Sequence, residues 1–471
     1  MNFSAAEWTA ALPAMVPALA AVVILLIDLL PRMSKNWVLF ISLLGLAVAA
    51  FMAVPFWGNP QSNVLGGMIS TDGYAVFFEL LFLLVAGLSL LLSWGELTPG
   101  YAALILWATS GMALLASASN LMTIFLGMEL LSLSLYVLVG FSRRGDGEAA
   151  LKYILLGALA TGFLLYGMAL VYGTTGTTSL AEIGLRIYHG ALYNPQLLVL
   201  GAGLVLAGLT FKLALVPFQN WLPDVYQGAP APVTAFMSVG TKAAAFAVLL
   251  RFVFMAIPAL AAAWVPALTV LAVFSMFLGN ILALKQTNAV RLLAYSGIAH
   301  AGYLMAALVS FSVLAASSSL FYLAAYAFTN LGAFAGVLLL GGREGNYELT
   351  TWDGLYRRKP LLAAVLSVFL LSLAGIPPTV GFFAKFYILQ GVLLSGKIPL
   401  AVLLVIASGI SLYVYLRVVM RLFSGEAEGK VTVSPPVWTV LAVSLIGTIG
   451  LGLFPAQLIS IVQHSALSLL P

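Results

Sequence analysis

Apolar runs of 18 residues or more recur along this 471-residue chain from near its start to near its end. A run of that length matches the ~20 residues with which a helix crosses ~30 Å of hydrocarbon, and a single buried core has no use for so many of them. Only 7% of the residues are charged and 62% are hydrophobic, too few charges to coat a water-exposed surface of this size. The alternating ten-residue pattern of a membrane barrel is absent. The pattern predicts an all-α polytopic membrane protein.

Spans fall at about 9–30, 37–57, 74–94, 101–118, 121–141, 149–172, 196–218, 231–256, 263–283, 289–309, 317–340, 360–394, 399–422 and 435–455, roughly fourteen transmembrane helices. The first span is not a cleavable signal, since it lacks a basic n-region and ends in Pro31-Arg32 without a small-residue cleavage site. The longest loops, roughly 173–195 and 341–359, are too short to fold alone. One membrane domain over residues 1–471 is the expectation, with the short apolar segment after Phe454 lying at an interface or against a neighbour.

Short cytoplasmic loops collect lysine and arginine. Arg32, Lys35, Arg143, Arg144, Lys285, Arg291, Arg343, Arg357, Arg358, Lys359, Arg417, Arg421 and Lys430 fall in or beside odd-numbered loops, and only Arg186, Arg251 and Lys397 beside even-numbered ones. The bias places odd-numbered loops in the cytoplasm and both termini outside. Four basic residues are left unexplained by topology: Lys152, Lys212, Lys242 and Lys385.

Two of these flank the least membrane-like stretch of the chain, Thr210 to Arg251, which carries Pro217, Pro223, Asp224, Gly228, Pro230 and Pro232 between Lys212 and Lys242. Charge and interrupted backbone are both costly at membrane depth, so their coincidence points to function. Pro377-Pro378 followed by Lys385 repeats the theme five spans later. Spans 4–8 (100–256) and 9–13 (263–423) then read as two repeats. An odd number of spans per repeat turns the second copy upside down, with discontinuous helices at spans 7 and 12, a transporter pattern.

Glu129 stands about 12 Å into span 5 at ~1.5 Å per residue, where a bare charge costs ~2.5–3.5 kcal/mol on insertion scales. It reads as an acid paired with a lysine across the bundle; the bland alternative is solvation by Ser132, Ser134 or water. Lys212 precedes Pro217, whose missing N–H frees carbonyls that solvate an ammonium; the alternative is snorkelling to the surface. Lys242 and Lys385 reach no surface easily and should line a hydrated interior. His300, in YSGIAHAGY, has small neighbours that admit close packing or water. Lys152 is explained equally well by snorkelling. Asp28 and Glu79 read as interfacial, and Asp224 as a cap of a short helix around Val225–Gly228. With no cysteine, no GxGxxG, no Walker loop and only scattered His189 and His464 besides His300, no metal, haem or iron–sulfur site is expected.

The stretch FKLALVPFQNWLPDVYQGAPAPVTAFMSVGTK resembles the signature of the proton-translocating, antiporter-like subunits of respiratory complex I and their relatives, and RLLAYSGIAHAGYLM and GIPPTVGFFAKFY resemble later signatures of that family. With the span count, the resemblance covers most of the chain. Lys385 stands where the M-type and one antiporter branch carry glutamate, and the long lateral helix of the L-type branch is missing. The resemblance implies that Glu129 and Lys212 form the acid and base of a first half-channel, Lys242 a central relay, His300 a connection, and Lys385 the residue of a second half-channel. Gln219 departs from the histidine common in relatives. The resemblance further implies no cofactor in this chain, FMN, iron–sulfur clusters and quinone in partner subunits, K-type and M-type neighbours, and a bacterial inner membrane. A cation/proton antiporter subunit, the membrane subunit of a proton-pumping hydrogenase or formate-oxidising complex, and a structural anchor are the competing readings.

Overall fold

The computed structural model describes residues 3–29, 34–141, 147–190, 194–342, 345–425 and 431–469. Arg32, Arg143, Arg144, Arg343 and Lys430 of the charge count lie outside the described residues. Nineteen helices follow one another among those described: α1 (Ala5–Asp28), α2 (Lys35–Ala53), α3 (Gly73–Leu92), α4 (Pro99–Ser117), α5 (Leu121–Gly140), α6 (Gly147–Thr175), α7 (Leu180–Tyr188), α8 (Pro195–Lys212), α9 (Trp221–Gly228), α10 (Ala231–Arg251), α11 (Ala261–Leu284), α12 (Ala289–Leu308), α13 (Val313–Gly341), α14 (Leu355–Arg358), α15 (Pro360–Ala374), α16 (Val380–Leu394), α17 (Ile398–Phe423), α18 (Pro435–Leu453) and α19 (Pro455–Leu467). An antiparallel hairpin, β1 (Gln61–Val64) and β2 (Ile69–Thr71), joins α2 to α3.

Twelve of these helices are long and apolar enough to cross a membrane. The fourteen expected spans are these twelve, α12, and the pair α15–α16. α12 has 20 residues but is not among the twelve, and nearly all of it is buried. α10 is the innermost element, with every residue from Ala231 to Arg251 buried. A helix enclosed by protein on all sides is free of the demand that lipid places on composition, so polar groups collect on these two. α15 and α16, 15 residues each, are too short to cross singly and do so as two halves.

The chain departs from expectation at several places. Span 7, expected to run to residue 218, stops at Lys212, because Ala214 adopts a left-handed φ of 55° and Pro217 has no N–H to continue the ladder. The Val216 N–H turns instead to Ser275 Oγ on α11 (2.9 Å). α9 begins at Trp221, four residues before the expected short helix, and takes Asp224 into its first turn. Asp224 is therefore not a cap. Arg251 is not a loop charge but the buried last residue of α10, which leaves only Arg186 and Lys397 on the even side. Glu79 is not interfacial: it is 7% exposed within α3, and its Oε1 has no hydrogen-bond partner. Asp28 ends α1 and is exposed.

Local contacts recur at a nearly constant separation in the sequence, between 166 residues (Arg251 and Arg417) and 169 (Leu180 and Leu349). Asn120 caps α5 and Asn288 caps α12. Beside the first, Leu121 N–H donates to Thr178 O and Leu180 N–H to Ser119 O, both 2.9 Å; beside the second, Ala289 N–H donates to Tyr347 O and Leu349 N–H to Thr287 O, both 2.7 Å. Arg251 Nε donates to Ala116 O (2.6 Å), and Arg417 Nη1 to Leu284 O (2.5 Å). Gly111 lets α4 press on the backbone of Gly127 and Leu131, and Gly279 lets α11 press on that of Tyr295 and Ala299.

A Cβ at Gly111 would stand 2.7 Å from Leu131 N and 2.9 Å from Gly127 O. Gly111→Val should therefore destabilise by about 1–3 kcal/mol, read as a lowered melting temperature of the purified protein. Gly173→Val, where a Cβ meets nothing within 4 Å, should leave it unchanged.

Candidate functional site

Buried ionisable groups line up through the middle of the bundle, and α8 supplies the first. Lys212 is 6% exposed, so it points inward rather than snorkelling. Its Nζ donates to Ser132 Oγ (2.8 Å) and to the Tyr136 hydroxyl (3.5 Å), over the rings of Tyr136 and Tyr153 at 5.4 and 5.6 Å. Glu129, Ser132 and Tyr136 share one face of α5 by helical spacing. No Glu129–Lys212 salt bridge forms among the described residues. Glu129 is half-buried with an unpartnered Oε1, and Ser132, one turn further along, takes the ammonium. The expected acid and base are thus not in direct contact: Ser132 Oγ takes the ammonium and itself donates to Met128 O (2.6 Å) rather than to Glu129.

The surroundings hold this geometry. A Cβ on Gly157 would overlap the Tyr136 hydroxyl, so only glycine admits it. Tyr153 stacks on Trp221 (5.0 Å, 12°), and Trp221 on Phe211 (5.5 Å, 20°). Trp221 Nε1 donates to Phe211 O (3.2 Å), so an indole takes this carbonyl beside the helix break.

Lys242 stands mid-α10 and is 1% exposed. Its Nζ has no hydrogen-bond partner and lies 5.8 Å from the Tyr226 ring. The hydroxyls of Tyr226 and Tyr326 are equally unpartnered. Gly297 of α12 faces this ammonium so closely that a Cβ there would collide with it, with the Tyr326 hydroxyl 3.3 Å from the same point. Buried polar atoms left unpaired cost ~1–3 kcal/mol each, and their clustering around a cation marks a place suited to water and moving protons. One turn away, Asn330 Nδ2 donates to Ser238 Oγ (2.6 Å).

His300 is buried in α12. Nδ1 meets the Tyr322 hydroxyl (2.5 Å) and Nε2 the Tyr415 hydroxyl (3.1 Å), which also contacts Ser296 Oγ. His300, Tyr322, Tyr326 and Lys385 line one small cavity of about 10 Å³. Lys385, in α16, donates to Ala374 O at the end of α15 (2.9 Å) and to Ser411 Oγ (3.4 Å), and lies 5.1 Å from the Tyr303 ring. Here the carbonyl released by a helix break does solvate the ammonium.

Lys152 is not part of this row. It is half-exposed and pairs with Asp224 (2.7 Å), which also pairs with Arg291 (2.9 Å), in a polar surface cavity lined by Glu148 and Gln227. Sequence reasoning missed the hydroxyls between the cations. Tyr322, Tyr326 and Asn330 recur every fourth residue of α13, a polar stripe visible in the sequence; Tyr226 and Tyr415 leave no such signal. It also missed Arg251, whose Nη2 pairs with both oxygens of Asp72 at 2.9 Å while its guanidinium lies 4.8 Å from the Tyr74 ring. No group of three metal-ligating side chains occurs among the described residues.

A many-helix membrane domain with two interrupted spans, each bearing a buried lysine, is the build of an antiporter-like protein. The family described as NADH:quinone oxidoreductase/Mrp antiporter, TM, matches residues 118–411. The chain is 43% identical over 471 residues to NADH-quinone oxidoreductase subunit N of Trichlorobacter lovleyi, and 42% over 470 residues to that of Chloroflexus aggregans, covering 96% of each chain in both cases. It superposes on a chain of respiratory complex I from Thermus thermophilus with bound aureothin (TM-score 0.81, 37% identity, 95% of this chain and 98% of that one). It shares its fold with a chain of the Mrp complex from Dietzia sp. (TM-score 0.90, 22% identity, 99% and 98% covered). The chain belongs to this transmembrane family, and within it to the N subunits of NADH-quinone oxidoreductase.

Gly297→Ala drives a methyl group into the Lys242 ammonium and should sharply lower proton translocation in the assembled oxidoreductase. Lys152→Ala removes a half-exposed ion pair worth ~0–1 kcal/mol and should lower it little. Proton uptake into reconstituted vesicles compares the two.

Proposed function

We propose that this chain moves protons across the membrane as the N-type subunit of NADH:quinone oxidoreductase, with no redox step of its own. NADH oxidation and quinone reduction, with FMN and iron–sulfur clusters, belong to partner subunits; K-type and M-type subunits flank it in the membrane arm. The setting is the bacterial inner membrane, with both termini outside. The observation that carries this reading is the row of half-buried Glu129 and buried Lys212, Lys242, His300 and Lys385, set around two helix breaks with hydroxyls beside the lysines.

In such a row the charge on one lysine depends on the charge beside it, because little solvent intervenes to screen them. A change imposed by a neighbouring subunit on Glu129 alters the hold on the Lys212 proton. Lys242, with no fixed partner, receives and passes it on, and His300 and Lys385 take it onward. The recurring contacts of Asn120 and Asn288, Gly111 and Gly279, and Arg251 and Arg417 support two inverted repeats, 100–256 and 263–423, around this row. Cation/proton exchange is the second reading, favoured by the fold shared with the Mrp chain; the identity to N subunits over the whole chain weighs for the oxidoreductase.

Lys242→Ala in the assembled complex should lower the protons translocated per NADH oxidised. An unchanged ratio would overturn the relay. Because the chain has no cysteine, orientation is open to single-cysteine labelling of right-side-out membranes. An impermeant thiol reagent should reach Lys397→Cys and not Lys359→Cys; the reverse pattern would invert the topology.

A further inference from the structure

Four buried polar atoms with no hydrogen-bond partner sit on three neighbouring helices. They are Lys242 Nζ on α10, the Tyr226 hydroxyl on α9, and the Tyr326 hydroxyl and Asn330 Oδ1 on α13. Proteins rarely leave such atoms unpaired, and ordered water is their usual partner.

Packing fixes which of them face each other. Asn330 follows Tyr326 by four residues and Ser238 precedes Lys242 by four, so each pair shares one helix face. The Asn330–Ser238 hydrogen bond (2.6 Å) sets the two faces together, and one turn along Tyr326 meets Lys242. The Tyr326 hydroxyl and the Lys242 ammonium both lie within 3.3 Å of the point that a Cβ of Gly297 would occupy. Hydrogen bonds of ~2.7–3.2 Å let one water span two groups so placed. Tyr226 instead offers its ring to the ammonium, and it stands on α9, whose Trp221 leads by way of Tyr153 back to Lys212.

Tyr326 also borders the second half of the row. It lines the cavity shared by His300 and Lys385, with its ring 5.0 Å from the imidazole. That cavity, about 10 Å³, is close to the size of one water, and Thr329 and Ser372 add hydroxyl-bearing side chains to its wall. His300 has no ring nitrogen to spare for Lys242, since Nδ1 meets Tyr322 and Nε2 meets Tyr415.

We propose that Tyr326 is a proton carrier: its hydroxyl, reached through one water, takes the proton that Lys242 releases and hands it to the cavity of His300 and Lys385. This rests on the proton-carrying reading above. The Lys242 N–H breaks as an O–H forms on the water, and the water passes one of its own protons to the Tyr326 oxygen. The former hydroxyl proton of Tyr326 moves into the cavity. Lys242 is left as a neutral amine, and neither the water nor the tyrosine keeps charge. Glycine at 297 serves this step by leaving room for the water.

The test uses the assembled oxidoreductase in proteoliposomes, with assembly checked on native gels and protons counted per NADH. Tyr326→Phe removes a hydroxyl that bonds to no protein group, so a packing role predicts an unchanged melting temperature and an unchanged ratio. A carrier predicts the same melting temperature with the ratio lowered to that of Lys242→Ala. In the Lys242→Ala background Tyr326→Phe should then cost nothing more, because the two act in series; a further loss would place Tyr326 on another route and overturn the step. A wild-type ratio in Tyr326→Phe beside a lowered one in Lys242→Ala overturns the step and leaves the relay standing. Wild-type ratios in both overturn the relay and the step together. Failure of Tyr326→Phe to assemble would make the hydroxyl a structural tie and also overturn the proposal.

Discussion

An ammonium ion in hydrocarbon is the constraint on which this structure turns. Three of them and an imidazole occupy the interior, and the fold is arranged to keep lipid away from all four. α10 carries Lys242 with every residue buried, and α12 carries His300 in nearly the same seclusion. The strongly apolar helices α1, α2, α6, α11 and α17 keep more of their surface outward. Composition and position match: helices that meet lipid are hydrophobic, and those that do not are free to hold charge.

The two halves answer the constraint differently. Lys212 ends its helix before a break, and its ammonium is met by a serine and tyrosine rings, while a tryptophan takes the nearby backbone carbonyl. Lys385 follows its break and takes the carbonyl at the end of α15 itself. Arg251 has a buried carboxylate partner in Asp72, whereas Arg417 is met by the carbonyls of Leu284 and Gln286. A shared plan with unlike local chemistry makes the two ends of the row differ in the groups that hold their cations.

Much of this was legible in the sequence. Span positions followed from hydrophobic length, because lipid imposes that length on every exposed helix. The breaks were marked by proline, and the lysines of the row stood out because the apolar phase makes any charge conspicuous. What stayed hidden depends on three-dimensional meeting. Glu79 and Arg251 looked terminal because distance along a helix says nothing of what encloses its end. Lys152 stood with Lys212 among the basic residues that topology left unexplained, with snorkelling as an equal reading, until Asp224 and Arg291 appeared beside it at the surface. The linking hydroxyls were invisible one by one, since a tyrosine in a membrane helix is ordinary until a cation lies against it.

If the lysines are carriers, a side chain with the same charge but unable to release its proton must not replace them. Arginine is that side chain. The most direct measurement is therefore the number of protons translocated per NADH by an assembled complex bearing Lys242→Arg. A carrier at this position predicts that the ratio falls as it does when the charge is deleted. A wild-type ratio would mean that Lys242 serves as a fixed positive charge, and protons would have to cross the bundle without it.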